Sequence, residues 1–230
     1  MRKLTLIGKL ILSAIGLYIF CGQHNVSAIG VILTGTGSLL RDLGQYHAAT
    51  ATYSAALRYI PNAPLVYGGR AYSELQSGRF DEASADYTKA MEFEGQSAWR
   101  YSQLAGVHHA AKQFDLEVAD WSEAIKLEPK NASHLLKRGE AYFDAKIFDK
   151  AIADFSEVIG RDPNRADAFR SRSNALKMSG DQAGMELDLD RALIIDCMQG
   201  YASNCDTPKI REAIARLDRA SSGGKDTLQK

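Results

Sequence analysis

Little in this chain marks it for a particular chemistry, and each shortage removes a class of protein. Three Cys in 230 residues are too few to build a fold on disulfides. Five Pro and 19 Gly exclude collagen-like and low-complexity chain. Neither charge sign dominates: 28 basic residues balance 28 acidic ones. No basic excess is available to release phosphate counterions, so no nucleic-acid partner is expected. Phosphate loops are missing too, because Gly35-Thr36-Gly37-Ser38 lacks the terminal Lys-Ser/Thr and the third glycine of a dinucleotide turn. His108 and His109 are adjacent, so on a helix they point ~100° apart and do not form a metal pair. No cofactor, metal or catalytic group is expected. What is present is 45% apolar residue, enough to argue against wholesale disorder.

The first 28 residues read as a secretory signal. Residues 1–9 carry three bases and no acid, Leu10 to Cys21 are uncharged, and Val26-Ser27-Ala28 offers a small-residue cleavage site. Twelve helical residues cover roughly 18 Å, short of the ~30 Å hydrocarbon core. Cleavage is expected after Ala28, which places the protein in the periplasm or outside the cell. The alternative is an uncleaved anchor with the chain facing the extracytoplasmic side; membrane contact is expected only then. The mature chain has 25 basic and 28 acidic residues, a net charge of −3.

Beyond residue 28 the chain repeats every 34 residues. Asp86-Tyr87-Thr88-Lys89-Ala90, Asp120-Trp121-Ser122-Glu123-Ala124 and Asp154-Phe155-Ser156-Glu157-Val158 start 34 apart. Five repeats fit without a gap, at 30–63, 64–97, 98–131, 132–165 and 166–199. Numbering each repeat from 1 to 34, place 4 holds Leu33, Tyr67, Tyr101, Leu135 and Phe169, and place 24 holds Tyr53, Tyr87, Trp121, Phe155 and Leu189. Place 27 is Ala56, Ala90, Ala124, Val158 and Ala192, and place 32 is Pro in repeats one, four and three. Two apolar-periodic segments of helical spacing flank a turn with Gly44, Gly78 or Gly180. Small residues at places 8, 20 and 27 let helices approach, and large ones at 4, 17 and 24 fill the gaps. The aspartate at place 23 reads as solvated helix charge.

These residues resemble the tetratricopeptide repeat family, most closely in repeat four with Gly139, Tyr142, Ala151, Phe155 and Pro163. The resemblance implies an all-α, right-handed solenoid of five helix-turn-helix repeats, since one hairpin cannot bury its apolar face alone. Repeat two leaves two registers open: Ala71 and Glu74 take the inward places, or Gly69 and Tyr72 do. In repeat three, His108 and Glu117 replace the usual apolar and small residues, and the two are expected to contact each other or to tilt outward separately.

The C-terminal end is expected to carry a cap. Thr207-Pro208 starts a helix over 208–220 whose Ile210, Ala213, Ile214 and Leu217 form one apolar stripe. Residues 200–207 form the loop before it, and 221–230 read as a disordered tail. Cys197 and Cys205, the two cysteines of the mature chain, are expected to form a disulfide in an oxidising compartment.

The resemblance also implies a function: binding a protein or peptide in a concave groove lined by the first helices. Carried over place by place, the groove residues are Trp99 and His109 from repeat three, Leu136, Glu140 and Phe143 from repeat four, and Arg170, Asn174 and Lys177 from repeat five. A partner with an apolar anchor and an acidic end would suit them. The family's carboxylate clamp is half present, in Arg170 and Asn174. The protein is thus expected to be a non-catalytic scaffold in envelope or secretion-complex assembly; an enzyme using the groove as active site is a remote alternative.

Overall fold

The computed structural model describes residues 26–201, 205 and 208–223, and every described element is an α-helix. The helices divide into two compact units, separated between Ala111 and Lys112. The first contains α1 (Val26–Asp42), α2 (Tyr46–Leu57), α3 (Pro64–Gln76), α4 (Phe80–Glu94) and α5 (Ala98–Ala110). The second contains α6 (Phe114–Leu127), α7 (Ala132–Asp144), α8 (Phe148–Arg161), α9 (Ala166–Ser179), α10 (Gln182–Met198) and α11 (Pro208–Gly223). Within each unit, helices consecutive in the chain pack as neighbours. The all-α arrangement of helix pairs follows the expectation.

Each first helix ends just before place 15, where the backbone turns left-handed. Gly44, Gly78 and Gly180 do this at φ of +72°, +74° and +93°. Lys112 and Lys146 occupy the same place at 58° and 62°, a conformation that costs a non-glycine residue about 1–2 kcal/mol. The turn closes with an amide donating back five residues, as in Gln45 to Leu40 at 2.8 Å and Ile147 to Tyr142 at 2.8 Å, the Schellman pattern.

Between the paired helices the small places are sealed. Ala49, Ala71, Ala83, Ala105 and Ala151 are all 0% exposed, as are Ala56, Ala90, Ala124 and Val158 at place 27. Place 24 rings fill the space they leave: a Cβ on Gly139 would sit 2.6 Å from the Phe155 ring. One on Gly69 would sit 2.7 Å from Tyr53 of the preceding repeat, so a place-24 ring packs against its own first helix and the next. That explains a departure. Leu189, expected in the core, is 45% exposed: the helix that follows repeat five is α11, which leaves this side chain uncovered.

Repeat two adopts the first of its two registers. Ala71 and Glu74 are buried (0% and 5% exposed), whereas Tyr72 is 39% exposed. Glu117 of repeat three is buried in the second unit and His108 is half-buried in the first. At the C-terminus α11 lays Ile210 and Ala213 on the core, and its Ile214 is exposed. The helix runs on to Gly223; the expected tail from 224 onward lies outside the described residues.

The secretory signal lies outside them as well, up to residue 25. Because α1 begins at Val26, cleavage after Ala28 would fall in its first turn, ahead of Gly30, which is buried against Ile60. None of the described helices is long and apolar enough to cross a membrane.

The reading of the place-23 aspartates needs correction. Asp86, Asp154 and Asp188 are 7%, 6% and 5% exposed, and each grips an arginine at place 7 of its own repeat with both oxygens. Arg70 donates to Asp86 at 2.6 and 2.7 Å, Arg138 to Asp154 at 2.8 and 2.8 Å, and Arg172 to Asp188 at 2.7 and 2.7 Å. The remaining arm of each guanidinium donates to a serine at place 25 of the preceding repeat: Ser54 at 3.0 Å, Ser122 at 3.3 Å and Ser156 at 3.0 Å. A planar fork meeting a carboxylate in two parallel bonds is the geometry that makes such a buried charge tolerable. The aspartate hydrogen bonds raise the Arg70 and Arg138 guanidinium pKa further above its ordinary value.

Removing one partner of such a pair strands the other charge, whereas removing both does not. Asp154→Ala is expected to destabilise the fold by about 3 kcal/mol, and the Arg138→Leu, Asp154→Leu double variant by about 1 kcal/mol or less. Urea denaturation of the three proteins checks this; a single variant as stable as the double would refute the fork.

Candidate functional site

The first unit carries a groove of about 500 Å³ on the side of its first helices. It is lined by the C-terminal end of α1 (Arg41, Asp42), Tyr46 of α2, the start and middle of α3 (Leu65, Gly68, Tyr72), and Trp99, Arg100 and Gln103 of α5, with Tyr87 of α4 at its floor. Place 2 recurs here as Val31, Leu65 and Trp99, which are 64%, 77% and 58% exposed. In the second unit the same place holds Ser133 and Asp167, so the apolar line belongs to the first unit.

The groove's shape depends on a buried arginine. Arg100 is 1% exposed and ion-paired through Nε with Glu94. Its guanidinium lies 4.4 Å from the Trp99 ring centroid and 5.9 Å from that of Tyr87. Gly68 admits it: a Cβ there would come within 2.6 Å of Arg100 Nη1. Burial pushes the Tyr87 hydroxyl up to about 12, so it stays protonated and donates to Gln103 Oε1 at 3.3 Å. On the opposite wall Tyr46 and Tyr72 meet edge to face, 6.4 Å apart at 68°. Arg41 reaches over the Tyr72 ring at 5.9 Å and is ion-paired with Asp42 at 2.9 Å.

The residues expected in the groove are divided between the units. Trp99 and His109 lie on α5, both exposed, and only Trp99 lines the groove. In the second unit Leu136 is 6% exposed and belongs to the core cluster of Phe155 and Val158. It presents little surface, because α7 turns that face onto its neighbours. Glu140 pairs with Lys137 at 2.7 Å. Phe143 is half-buried and meets Phe148 edge to face at 5.7 Å. Arg170 bonds Asp196 at 2.6 Å beside a cleft of about 410 Å³ between the start of α9 and the end of α10. Asn174 and Lys177 are exposed further along α9.

Cys197 and Cys205 are thiols here, and they touch: a hydrogen bond with Cys205 pushes the Cys197 thiol up to about 11. No group of three His, Cys, Asp or Glu side chains able to hold a metal occurs among the described residues.

The first-unit groove was legible only in part. Val31, Leu65 and Trp99 stand 34 apart at a place that faces outward, which is a usable signal. Tyr72 was hidden by the open register of repeat two.

The model of the tetratricopeptide repeat family matches residues 34–98 and 105–166, more than half of the chain. Comparison with curated protein sequences gave no match. Among solved structures, the chain is similar to YrrB, a TPR protein with an unusual peptide-binding site, at 20% identity and a TM-score of 0.59, covering 81% of this chain and 92% of that one. It is similar to MamA at 19% identity and 0.66, covering 81% and 100%. BtubC from P. vanneervenii matches at 20% identity and 0.61, covering 88% and 93%. At these identities the likeness concerns the fold.

One strongly shifted titratable group lies away from the groove. Glu74 is 5% exposed, and burial, then the neighbouring Asp86 carboxylate, push it up to about 7 against the pull of Arg70 and Arg79. A folded value above the unfolded ~4.3 means that Glu74 favours the fold fully at low pH, and that this contribution is lost as pH rises through 7. Glu74→Gln is therefore expected to exceed wild type in stability by about 2–3 kcal/mol at pH 8, with the difference closing toward pH 4. Urea titrations at the two pH values check the sign.

Proposed function

Because the chain belongs to the tetratricopeptide repeat family, we propose that it is an exported, non-catalytic scaffold that holds a segment of another protein against the first helices of its first unit. The observation that carries this reading is the line of Val31, Leu65 and Trp99, each more than half exposed, beside the tyrosine-walled groove. Contiguous exposed apolar surface marks interaction sites, and tryptophan and tyrosine supply most of the energy where they anchor a partner. YrrB, of similar fold, has a peptide-binding site.

On the second unit, Arg170, Asn174 and Lys177 are the proposed contact for acidic residues of a partner. Arg170 is half-exposed beside Asp196, so an incoming carboxylate must compete with that pair.

Export supplies the setting. The basic and apolar plan of residues 1–28 supports secretion, with envelope or secretion-complex assembly as the role and a retained anchor as the alternative. In an oxidising compartment the touching Cys197 and Cys205 thiols would join, tying the end of α10 to the chain that enters α11. The loop is short, so the chain-entropy gain is roughly 2.5 kcal/mol at most.

Two measurements test these statements. Cross-linked pull-downs from the extracytoplasmic fraction compare wild type with a Leu65→Ala, Tyr72→Ala, Trp99→Ala variant and with Phe143→Ala, Arg170→Ala, Lys177→Ala. A partner retained by wild type should fall at least tenfold with the first variant; equal recovery of every partner by all three proteins would sink the scaffold surface. Intact mass of the natively produced protein should begin at Ile29 and rise by two hydrogens on reduction. A mass that includes residues 1–28 supports the anchor, and one unchanged by reductant removes the disulfide.

A further inference from the structure

We infer that the first-unit groove selects a proline-rich segment in the polyproline II conformation; this rests on the proposed scaffold role and specifies its ligand. The lining of the groove is well supplied with hydrogen-bond donors. Two acceptors at the groove are engaged internally: Gln103 Oε1 takes the Tyr87 hydroxyl, and Asp42 Oδ1 takes two bonds from Arg41. Four lining groups can donate to a ligand: the Tyr46 and Tyr72 hydroxyls, which also accept, the Trp99 indole N–H and the Gln103 amide. A ligand that offers carbonyls and no N–H leaves nothing unpaired against such a wall. Proline is the residue whose backbone does that.

Charge points the same way. Arg41 is paired with Asp42 and Arg100 with Glu94, so the groove presents no uncompensated charge and complements a neutral segment. The rings then set the shape. One face of Trp99 is covered by the Arg100 guanidinium at 4.4 Å, which leaves the other face as a platform and holds the indole in place before binding. The edge-to-face Tyr46 and Tyr72 pair forms the facing wall. Pyrrolidine rings stack on such walls, and a polyproline helix loses little conformational freedom when it docks.

The test is isothermal titration of the purified full chain with end-capped decaproline, with the same peptide carrying alanine at every second position, and with cellohexaose. Decaproline is expected to bind with a Kd on the order of 100 µM, and the alanine-interrupted peptide at least tenfold more weakly. Trp99→Ala should abolish decaproline binding. Trp99→Phe, which keeps a ring but loses the N–H, should weaken it several-fold, with helical circular dichroism unchanged in both. Equal binding of the two peptides, or decaproline binding that survives Trp99→Ala, overturns the proline preference. Cellohexaose binding without decaproline binding overturns it in favour of a saccharide platform. Absence of decaproline binding alongside Trp99-dependent partner capture in the pull-down ends this inference alone; absence of both ends the scaffold reading as well.

Discussion

Three helices meet wherever a place-7 arginine is present, and the guanidinium is what fixes their spacing. Its two parallel bonds to the aspartate hold the first and second helices of one repeat, and its remaining arm reaches back to the serine of the repeat before. Apolar packing supplies the driving force, but alanine against aromatic ring tolerates small slides and rotations. A buried fork does not, because a slipped arginine would leave a desolvated charge without its partner. The arrangement recurs in Arg70, Arg138 and Arg172 with distances that differ by a few tenths of an ångström. With the inward side of the hairpins so determined, the outward side of the first helices is left to vary, and there the groove is built.

Repeat three departs from that rule, and the groove depends on its departure. Leu104 stands at place 7 and packs with Ala71, Ala83, Tyr87 and Val107. The buried cation sits one turn earlier, at Arg100, paired with Glu94 at the end of α4. Shifting the cation by that turn brings it beneath Trp99 and over Tyr87. A structural charge thereby becomes the backing of an exposed ring, and Gly68 is what makes room for it.

The hairpin plan was open to reading because it depends on residue size at fixed intervals. Small places 8, 20 and 27 and the glycine turns show themselves in any register, and the helix ends follow. The left-handed Lys112 and Lys146 did not, since lysine gives no sign of the conformation that its neighbours impose. Nor did the forks: arginine is absent from place 7 of repeats one and three, where Thr36 and Leu104 stand, so the partner of the recurring aspartate breaks the period that revealed everything else. The groove was missed for a different reason. Gly69 to Tyr72 imitates Gly139 to Tyr142 displaced by two residues, and only packing, with Ala71 and Glu74 turned inward, shows that Tyr72 faces out. Leu136 went the other way, from expected groove wall to core.

The last repeat has a consequence of its own. Place 25 holds Ser54, Thr88, Ser122 and Ser156 in the first four repeats and Asp190 in the fifth. Its carboxylate takes Arg216 of α11 at 2.6 and 2.8 Å, so the closing helix supplies the guanidinium that a further repeat would otherwise bring. A stack of identical hairpins ends in a surface that fits the beginning of another copy, and contacts of that head-to-tail kind propagate into filaments. With a carboxylate in place of the hydroxyl, answered by Arg216 from within the same chain, the contact that an incoming arginine would make at this face is already occupied.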